Sequence, residues 1–162
     1  MKKIINLITS IVLLMSLNSC SGYKPVFDLT GFKFKIEKYS LLGDERIGKK
    51  IYYQLYALSK TNSEDSKSID IEINVTKSKS STIKNSAGEI LEYNISLTTD
   101  IVIKDFFTDK IVLIDTFDSS SSYKVQDQYS DTIKLENKII EDLTNKIYQE
   151  LLIKLSNSIK KS

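Results

Sequence analysis

The sequence predicts an α+β fold in which a four-stranded, mainly antiparallel sheet carries two helices on one face, in the order β-α-β-β-β-α. Three observations support this prediction. In four segments, apolar residues alternate with polar ones, which is the period of a half-buried strand. In two further segments, apolar residues recur every three or four positions, as on a helix with one buried side. The last three strand segments follow one another closely, so they can pair as hairpins in a single domain without internal repeats.

The first strand and the first helix open this domain. Residues 32–37 alternate between apolar and charged side chains, which predicts a strand. Gly43 and Asp44 then interrupt the chain, and Asp44 is placed to cap a helix over residues 45–60. The apolar stripe of that helix consists of Ile47, Ile51, Leu55 and Leu58.

Three strands are predicted after a polar loop. The first covers residues 69–76, where isoleucine and valine alternate strictly with polar residues. Residues 78–88 contain Asn and Gly as turn formers and are predicted to be a hairpin connection. The second strand covers residues 91–103, a turn follows over 105–109, and the third strand covers residues 111–123.

The start of that last strand, Ile111 to Ile114, is apolar on both faces. A strand with one face in water would alternate here, so we expect something to cover its second face. A helix, a partner and lipid all remain open as the cover.

A long final helix is predicted from Tyr129 onwards, over about 28 residues, because the apolar period changes to that of a helix. Such a broad stripe fits a helix that lies across a sheet. Its main members are Ile133, Ile140, Leu143, Ile147 and Leu151.

The N-terminus has the pattern of a bacterial export signal that ends at a lipid-modified cysteine. Two lysines precede an apolar stretch over residues 4–17, which is shorter than the roughly 20 residues that span a bilayer. Cys20 follows after Asn18 and Ser19 and resembles the lipobox cysteine of bacterial lipoproteins, which carries acyl chains. We therefore predict a signal peptide over residues 1–19, lipid attachment at Cys20, a tether over residues 20–31 and one domain over residues 32–162. The alternative is an ordinary secreted protein in which Cys20 is incidental.

Composition argues against several classes of function. Removing Lys2 and Lys3 with the signal leaves 21 of the 23 Lys+Arg residues, which balance the 21 Asp+Glu residues, so no net charge favours nucleic acid. The chain has no histidine, which is the usual general base and the commonest metal ligand. With its only cysteine lipidated, we expect no metal, no cofactor and no catalytic residues.

Two segments resemble a known family, the lipopolysaccharide-assembly lipoproteins (LptE) in their alphaproteobacterial form. Residues 22–27 read Gly-Tyr-Lys-Pro-Val-Phe, which is similar to the family's signature after the lipid cysteine. Residues 122–130 read Ser-Tyr-Lys-Val-Gln-Asp-Gln-Tyr-Ser, which is similar to its entry into the last helix. The resemblance implies a non-enzymatic protein at the inner leaflet of the outer membrane, with its domain facing the periplasm and the barrel lumen. Such a protein plugs the LptD-type β-barrel, assists its assembly and contacts lipopolysaccharide.

Such a protein needs cations for phosphate and amphipathic side chains for the barrel wall. Lys77, Lys79 and Lys84 are our candidates for lipopolysaccharide binding, because they are predicted to cluster at the tip of the second and third strands. No family motif identifies them, and an ordinary solvated loop is the alternative. The candidates for partner contact are aromatic residues at element ends, which could equally cap the core: Tyr23, Phe27, Tyr123 and Tyr129.

Two other functions remain open. The first is an auxiliary lipoprotein of an ABC-type phospholipid transporter. The segment over residues 22–27 argues against it, because that segment resembles the LptE family instead. The second is a lipid-anchored periplasmic enzyme, which would need a clustered polar pocket. The acidic pairs at 105 and 109 and at 127 and 131 fit a turn and a helix start better than a catalytic pair.

Overall fold

The computed structural model describes residues 33–59 and 66–161. They form, in order, β1 (Phe34–Gly43), α1 (Glu45–Ser59), β2 (Lys67–Lys84), β3 (Ile90–Asp105), β4 (Ile111–Lys124) and α2 (Tyr129–Lys161). The predicted α+β class and element order are confirmed.

The four strands form one sheet in the order β1-β2-β3-β4. β2, β3 and β4 are joined by turns and pair antiparallel, whereas β1 and β2 pair parallel. The parallel pair follows from α1, since a helix between two strands returns the chain to the end where it began. Asp44 caps α1 as predicted, because its Oδ1 accepts a hydrogen bond from the Ile47 amide at 3.2 Å.

The core lies between one face of the sheet and the two helices. Alternate residues of β2 and β3 are buried, and the buried stripe of α2 packs over them. The helices also contact each other, with Gln54 Nε2 donating to Asn145 Oδ1 at 3.1 Å. The stripe of α2 is formed by Ile140, Leu143, Ile147, Leu151 and Leu155.

The prediction of a hairpin connection over residues 78–88 was wrong. β2 continues to Lys84, and Ser78 and Ser80 pair with Ser96 and Asn94 of β3. This part of the strand has no apolar alternation because its side chains are exposed, and backbone pairing with β3 continues along it. The turn shrinks to residues 85–89 and is stabilised by the Asn85 side chain, which accepts hydrogen bonds from two following amides.

The second face at the start of β4 is not covered by a helix of the described chain. Leu113 is buried against the core, but the side chains of Ile111 and Ile114 are 59% and 66% exposed. Of the covers considered from the sequence, a partner and lipid therefore remain.

The predicted signal peptide, Cys20 and the tether, with Tyr23 and Phe27, lie outside the described residues. In the part of the chain that the structure describes, no helix combines the length and apolar character needed to cross a membrane.

A buried hydroxyl in the core gives a first testable prediction. Thr99 is fully buried on β3, and its Oγ1 makes no hydrogen bond with any described residue. An unpaired buried hydroxyl is unfavourable, so Thr99→Val should raise the free energy of unfolding by about 1 kcal/mol in urea denaturation. The control is Thr132→Val, because that buried hydroxyl accepts a hydrogen bond from the Gln126 amide at 2.9 Å. The control should lose stability, and an equal loss in Thr99→Val would contradict the prediction.

Candidate functional site: a lysine and tyrosine groove beside the last helix

An open groove of about 680 Å³ lies between the turn end of the β2–β3 hairpin and the start of α2. β2 and β3 form one wall, and the β4–α2 connection with the first turn of α2 forms the other. Residues that line it include Lys79, Tyr93, Val125, Asp127, Tyr129 and Ile133. The groove thus combines aromatic surface with one cation.

The lysine of this groove belongs to a compact network of three side chains beside it. Lys79 Nζ lies 2.6 Å from Glu136 Oε2, and the Tyr123 hydroxyl donates to the same oxygen at 2.7 Å. The ammonium also lies 4.1 Å from the centre of the Tyr93 ring, within cation–π range. Tyr93 and Tyr123 are opposite each other on β3 and β4, with ring centres 5.8 Å apart.

The network moves the pKa values of its members. Burial alone would raise the pKa of Glu136, but hydrogen bonds from Lys79 and Tyr123 and the charges of Lys79 and Lys77 outweigh burial and lower it. Burial likewise opposes the charge on Lys79, yet its contacts with Glu136 and Tyr123 raise the pKa of that ammonium overall. Burial is the main cause of the raised pKa of Tyr123. At neutral pH the groove therefore contains a lysine–glutamate ion pair.

The three candidate lysines do not cluster at a tip. Lys77 and Lys79 lie within β2, and Lys77 pairs with Asp44 before α1 at 3.4 Å. Lys84 alone is near the turn, and it forms no ion pair with any other residue that the structure describes. An anion would therefore compete with Asp44 or Glu136 for two of these lysines, whereas Lys84 is exposed.

The two described aromatic candidates differ in exposure. Tyr123 is buried and forms part of the network, so the alternative of a core-capping residue applies to it. Tyr129, the first residue of α2, is 80% exposed at the groove.

A second aromatic surface was missed by the sequence analysis. Tyr39 of β1 stacks on Tyr52 of α1 with ring centres 4.1 Å apart, and Tyr53 and Tyr56 lie beside Tyr52 at 5.4 and 5.7 Å. We call these four residues the tyrosine face. All but Tyr52 are exposed. The signal was the presence of three tyrosines within five positions of α1, but only the fold adds Tyr39.

The residues from 33 to 59 and from 66 to 161 contain no group of three or more Asp, Glu, His or Cys side chains that could hold a metal ion. Asp105 and Asp109 lie in the β3–β4 turn, where Asp105 accepts hydrogen bonds from the Phe107 and Thr108 amides.

A pH-dependent contribution from Glu136 is the second prediction. Because folding lowers its pKa below 4.5, this carboxylate stabilises the protein above about pH 4.5 and loses its contribution as the pH falls through the folded pKa. Glu136→Gln should lower the free energy of unfolding by about 1–2 kcal/mol at pH 7, and the difference from wild type should shrink towards pH 3. Urea denaturation at both pH values measures it.

Glu141→Gln is the matched control for that prediction. Glu141 pairs with Lys50 at 2.7 Å from the same helix but is well exposed, so its loss should be much smaller. A difference for Glu136→Gln that stays constant from pH 7 to pH 3 would contradict the prediction.

The described residues form a small α+β domain with an open groove and an exposed tyrosine face. No protein-family model and no curated protein sequence matches this chain.

Solved structures of bacterial lipoproteins share the fold. A chain assigned as a lipoprotein from Caulobacter crescentus has a TM-score of 0.57 and 14% identity, covering 78% of this chain and 90% of that chain. A minor lipoprotein from Acinetobacter baumannii has a TM-score of 0.55 and 17% identity, covering 76% and 90%. Rare lipoprotein B from Shewanella oneidensis has a TM-score of 0.50 and 11% identity, covering 74% and 97%. At these identities, the likeness establishes a common fold.

Proposed function

We propose that this chain is a non-enzymatic outer-membrane lipoprotein that plugs a lipopolysaccharide-translocating β-barrel of LptD type and assists its assembly. In this role it contacts lipopolysaccharide on its way to the cell surface. One observation carries the proposal: the fold is shared with solved bacterial lipoproteins, on a chain whose N-terminal sequence predicts an export signal that ends at Cys20. The resemblance of residues 22–27 and 122–130 to the LptE family points to the barrel as partner.

The polar outer face of the sheet supports the role of a plug. A water-filled barrel lumen is polar, so a domain inside it should present hydroxyl, amide and carboxylate groups. On the outer face, Thr98 donates to Asp118 at 2.6 Å and Thr116 donates to Asp100 at 2.8 Å, both across strands. Asn94 and Ser122 form a third such link at 3.2 Å. These bonds order a surface that a polar lumen could accommodate.

The tyrosine face provides the contact with the barrel wall. Tyrosine contributes large, amphipathic contact area with few rotatable bonds, and it is enriched in the residues that dominate protein interfaces. Tyr39 and Tyr53 are 54% and 62% exposed, and both lie against Tyr52, which is buried. Contact with Tyr52 therefore fixes the positions of both rings before the barrel binds.

Among the lysines, Lys84 makes the first contact with lipopolysaccharide phosphate. It is exposed and unpaired among the described residues, so binding a phosphate requires no exchange of partners. Lys79 binds a phosphate only if that phosphate displaces Glu136, because the Lys79 ammonium and the Glu136 carboxylate are 2.6 Å apart. Lys84→Gln should therefore weaken lipopolysaccharide binding more than Lys77→Gln does.

Affinity capture tests the assignment of the partner. The tagged full-length protein is isolated from detergent-solubilised envelopes, and the co-purified proteins are identified by mass spectrometry. We expect a stoichiometric outer-membrane barrel of LptD type. Recovery of an inner-membrane transporter instead would favour the phospholipid-transport alternative. A barrel that assembles normally and exports lipopolysaccharide after depletion of this protein would refute the proposal.

A pair of variants tests the tyrosine face in the same capture. Tyr53→Ser should reduce the recovered barrel by about tenfold, because an aromatic contact of this kind contributes roughly 1–2 kcal/mol. The control is Ile153→Ser, which changes an exposed apolar side chain of α2 outside the tyrosine face. Equal recovery with both variants would remove the tyrosine face from the interface.

A further inference from the structure

We propose that the turn between β3 and β4 is a second membrane contact, which inserts Phe107 into the interfacial region of the phospholipid bilayer that holds the lipid anchor. We call residues 105–111 the aromatic turn. The inference rests on the proposed function in one respect, the acylation of Cys20. It does not depend on the barrel.

The aromatic turn exposes a concentrated apolar surface. Phe107 is 79% exposed, its ring lies 5.2 Å from that of Phe106, and the side chains of Ile111 and Ile114 are also largely in water. Scattered exposed apolar residues are ordinary, but a group of three large ones at one end of a small domain is typical of a binding surface. Transfer into a membrane interface would remove this apolar surface from water and is therefore favourable.

The turn is ordered by its own hydrogen bonds. Asp105 Oδ1 accepts from the amides of Phe107 and Thr108 at 3.1 and 2.9 Å and from the Thr108 hydroxyl at 2.9 Å. The Asp109 amide closes the turn onto the Asp105 carbonyl at 2.9 Å, with Asp109 at a φ of 56°. Phe107 is thus presented by a fixed backbone, so binding loses little conformational entropy there.

Lysines surround the apolar group. Lys38 Nζ lies 5.2 Å from the centre of the Phe106 ring, Lys104 is 3.8 Å from Asp109, and Lys110 ends the turn. The two acids of the turn are already compensated, Asp105 by amides and Asp109 by Lys104. Phenylalanine beside lysine is the composition of segments that lie in a membrane interface, where the ammonium groups reach anionic headgroups.

The topology places the aromatic turn at the end of the sheet where the chain enters. Phe34 begins β1 next to Lys67, and the Phe106 amide donates to the Ser68 carbonyl at 3.0 Å. Only residues 21–33 separate Cys20 from Phe34, which limits the reach of that link to roughly 50 Å. The other hairpin turn lies at the far end of β2, which has 18 residues and is therefore about 60 Å long.

The anchor explains why so small a contact suffices. A few interfacial side chains alone would bind a membrane weakly and reversibly. Once acyl chains tether the domain, insertion of the turn becomes an intramolecular step at high effective concentration. The anchored end and the aromatic turn then act as two membrane contacts that orient the domain.

Tryptophan fluorescence tests this proposal because the chain contains no tryptophan. Phe107→Trp is prepared in the full-length, lipidated protein and reconstituted into vesicles of phosphatidylethanolamine and phosphatidylglycerol without any barrel. The control is Ala87→Trp, at the equally exposed turn between β2 and β3. We expect the indole of Phe107→Trp to emit at shorter wavelength and to lose most of its intensity when the acyl chains are brominated. The control should do neither.

Solvent-like, unquenched emission from Phe107→Trp in these vesicles would overturn the proposal. An emission shift that appears only after a barrel is added would also overturn it, because a protein would then cover the turn. Equal quenching of both variants would overturn it as well. Intact-mass measurement of the same sample reports acylation of Cys20 separately. If barrel capture fails but the indole is quenched, only the proposed function is refuted. If the barrel is captured but the indole is not quenched, only the membrane contact is refuted.

Discussion

Gly43→Ala should lower the free energy of unfolding by about 3 kcal/mol. A Cβ at Gly43 would lie 2.1 Å from the carbonyl oxygen of Val75, far inside van der Waals contact, and the φ of +72° is left-handed. The obstacle cannot move aside, because that carbonyl accepts a hydrogen bond from the Asp44 amide at 2.8 Å. Urea denaturation of the purified domain measures the loss.

Two other glycines separate the causes of that loss. Gly88 has a φ of +85° but open space around it, so Gly88→Ala should show the backbone strain alone, about 1 kcal/mol. Gly48 lies in α1, where a Cβ would make an ordinary contact with Leu41 at 3.5 Å, so Gly48→Ala should be neutral or stabilising. A loss at Gly43 no larger than that at Gly88 would show that the β1–α1 junction relaxes around the added methyl group.

In the proposed function, the β1–α1 junction also positions the tyrosine face. It connects the strand that carries Tyr39 to the helix that carries Tyr52, and these two rings stack at 4.1 Å. A Gly43→Ala protein that still folds at low temperature should therefore capture less barrel than wild type does.

Leu151→Ala should lower the free energy of unfolding by about 3 kcal/mol, within the 2–5 kcal/mol typical of such core truncations. Leu151 is fully buried in the stripe by which α2 packs on the sheet, so truncation leaves a cavity between helix and sheet. Thermal or urea denaturation measures the effect. The pH dependence of stability that Glu136 contributes, described above, reports separately on the start of α2.

Ile153→Ala is the matched control on the same helix. Its side chain is exposed, so the change should alter stability by less than about 0.5 kcal/mol. If both variants lost the same stability, packing of Leu151 on the sheet would not explain the loss, and helix propensity, which favours alanine at both positions, would not explain it either.

Periodicity in the sequence was enough to predict most of the fold. Strict alternation over residues 69–76 and the helical stripe from Tyr129 onwards each report which side of an element is buried, and both elements were found. The cap at Asp44 also followed from local chemistry, because a short carboxylate before a helix satisfies free amides. The extension of β2 to Lys84 was not predictable in this way, since exposed serines and lysines carry no burial pattern.

The candidate site was predicted only in part. Lys79 and Tyr123 were both singled out, but for separate roles. Their common partner Glu136 lies 57 residues from Lys79 along the chain, and no local pattern indicates that contact. The tyrosine face was missed for the same reason, because Tyr39 and Tyr52 belong to different elements.

The sequence by itself determined the order of elements and their buried sides, because each depends on neighbouring residues; lipid attachment at Cys20 stays a prediction. Tertiary structure alone decided how far β2 runs beside β3, which carboxylate neutralises Lys79, and that the aromatic turn lies at the end where the chain enters. The physical reason is that strand register and contacts between distant side chains arise from backbone pairing and close packing. Every residue takes part in these, whatever its local sequence pattern.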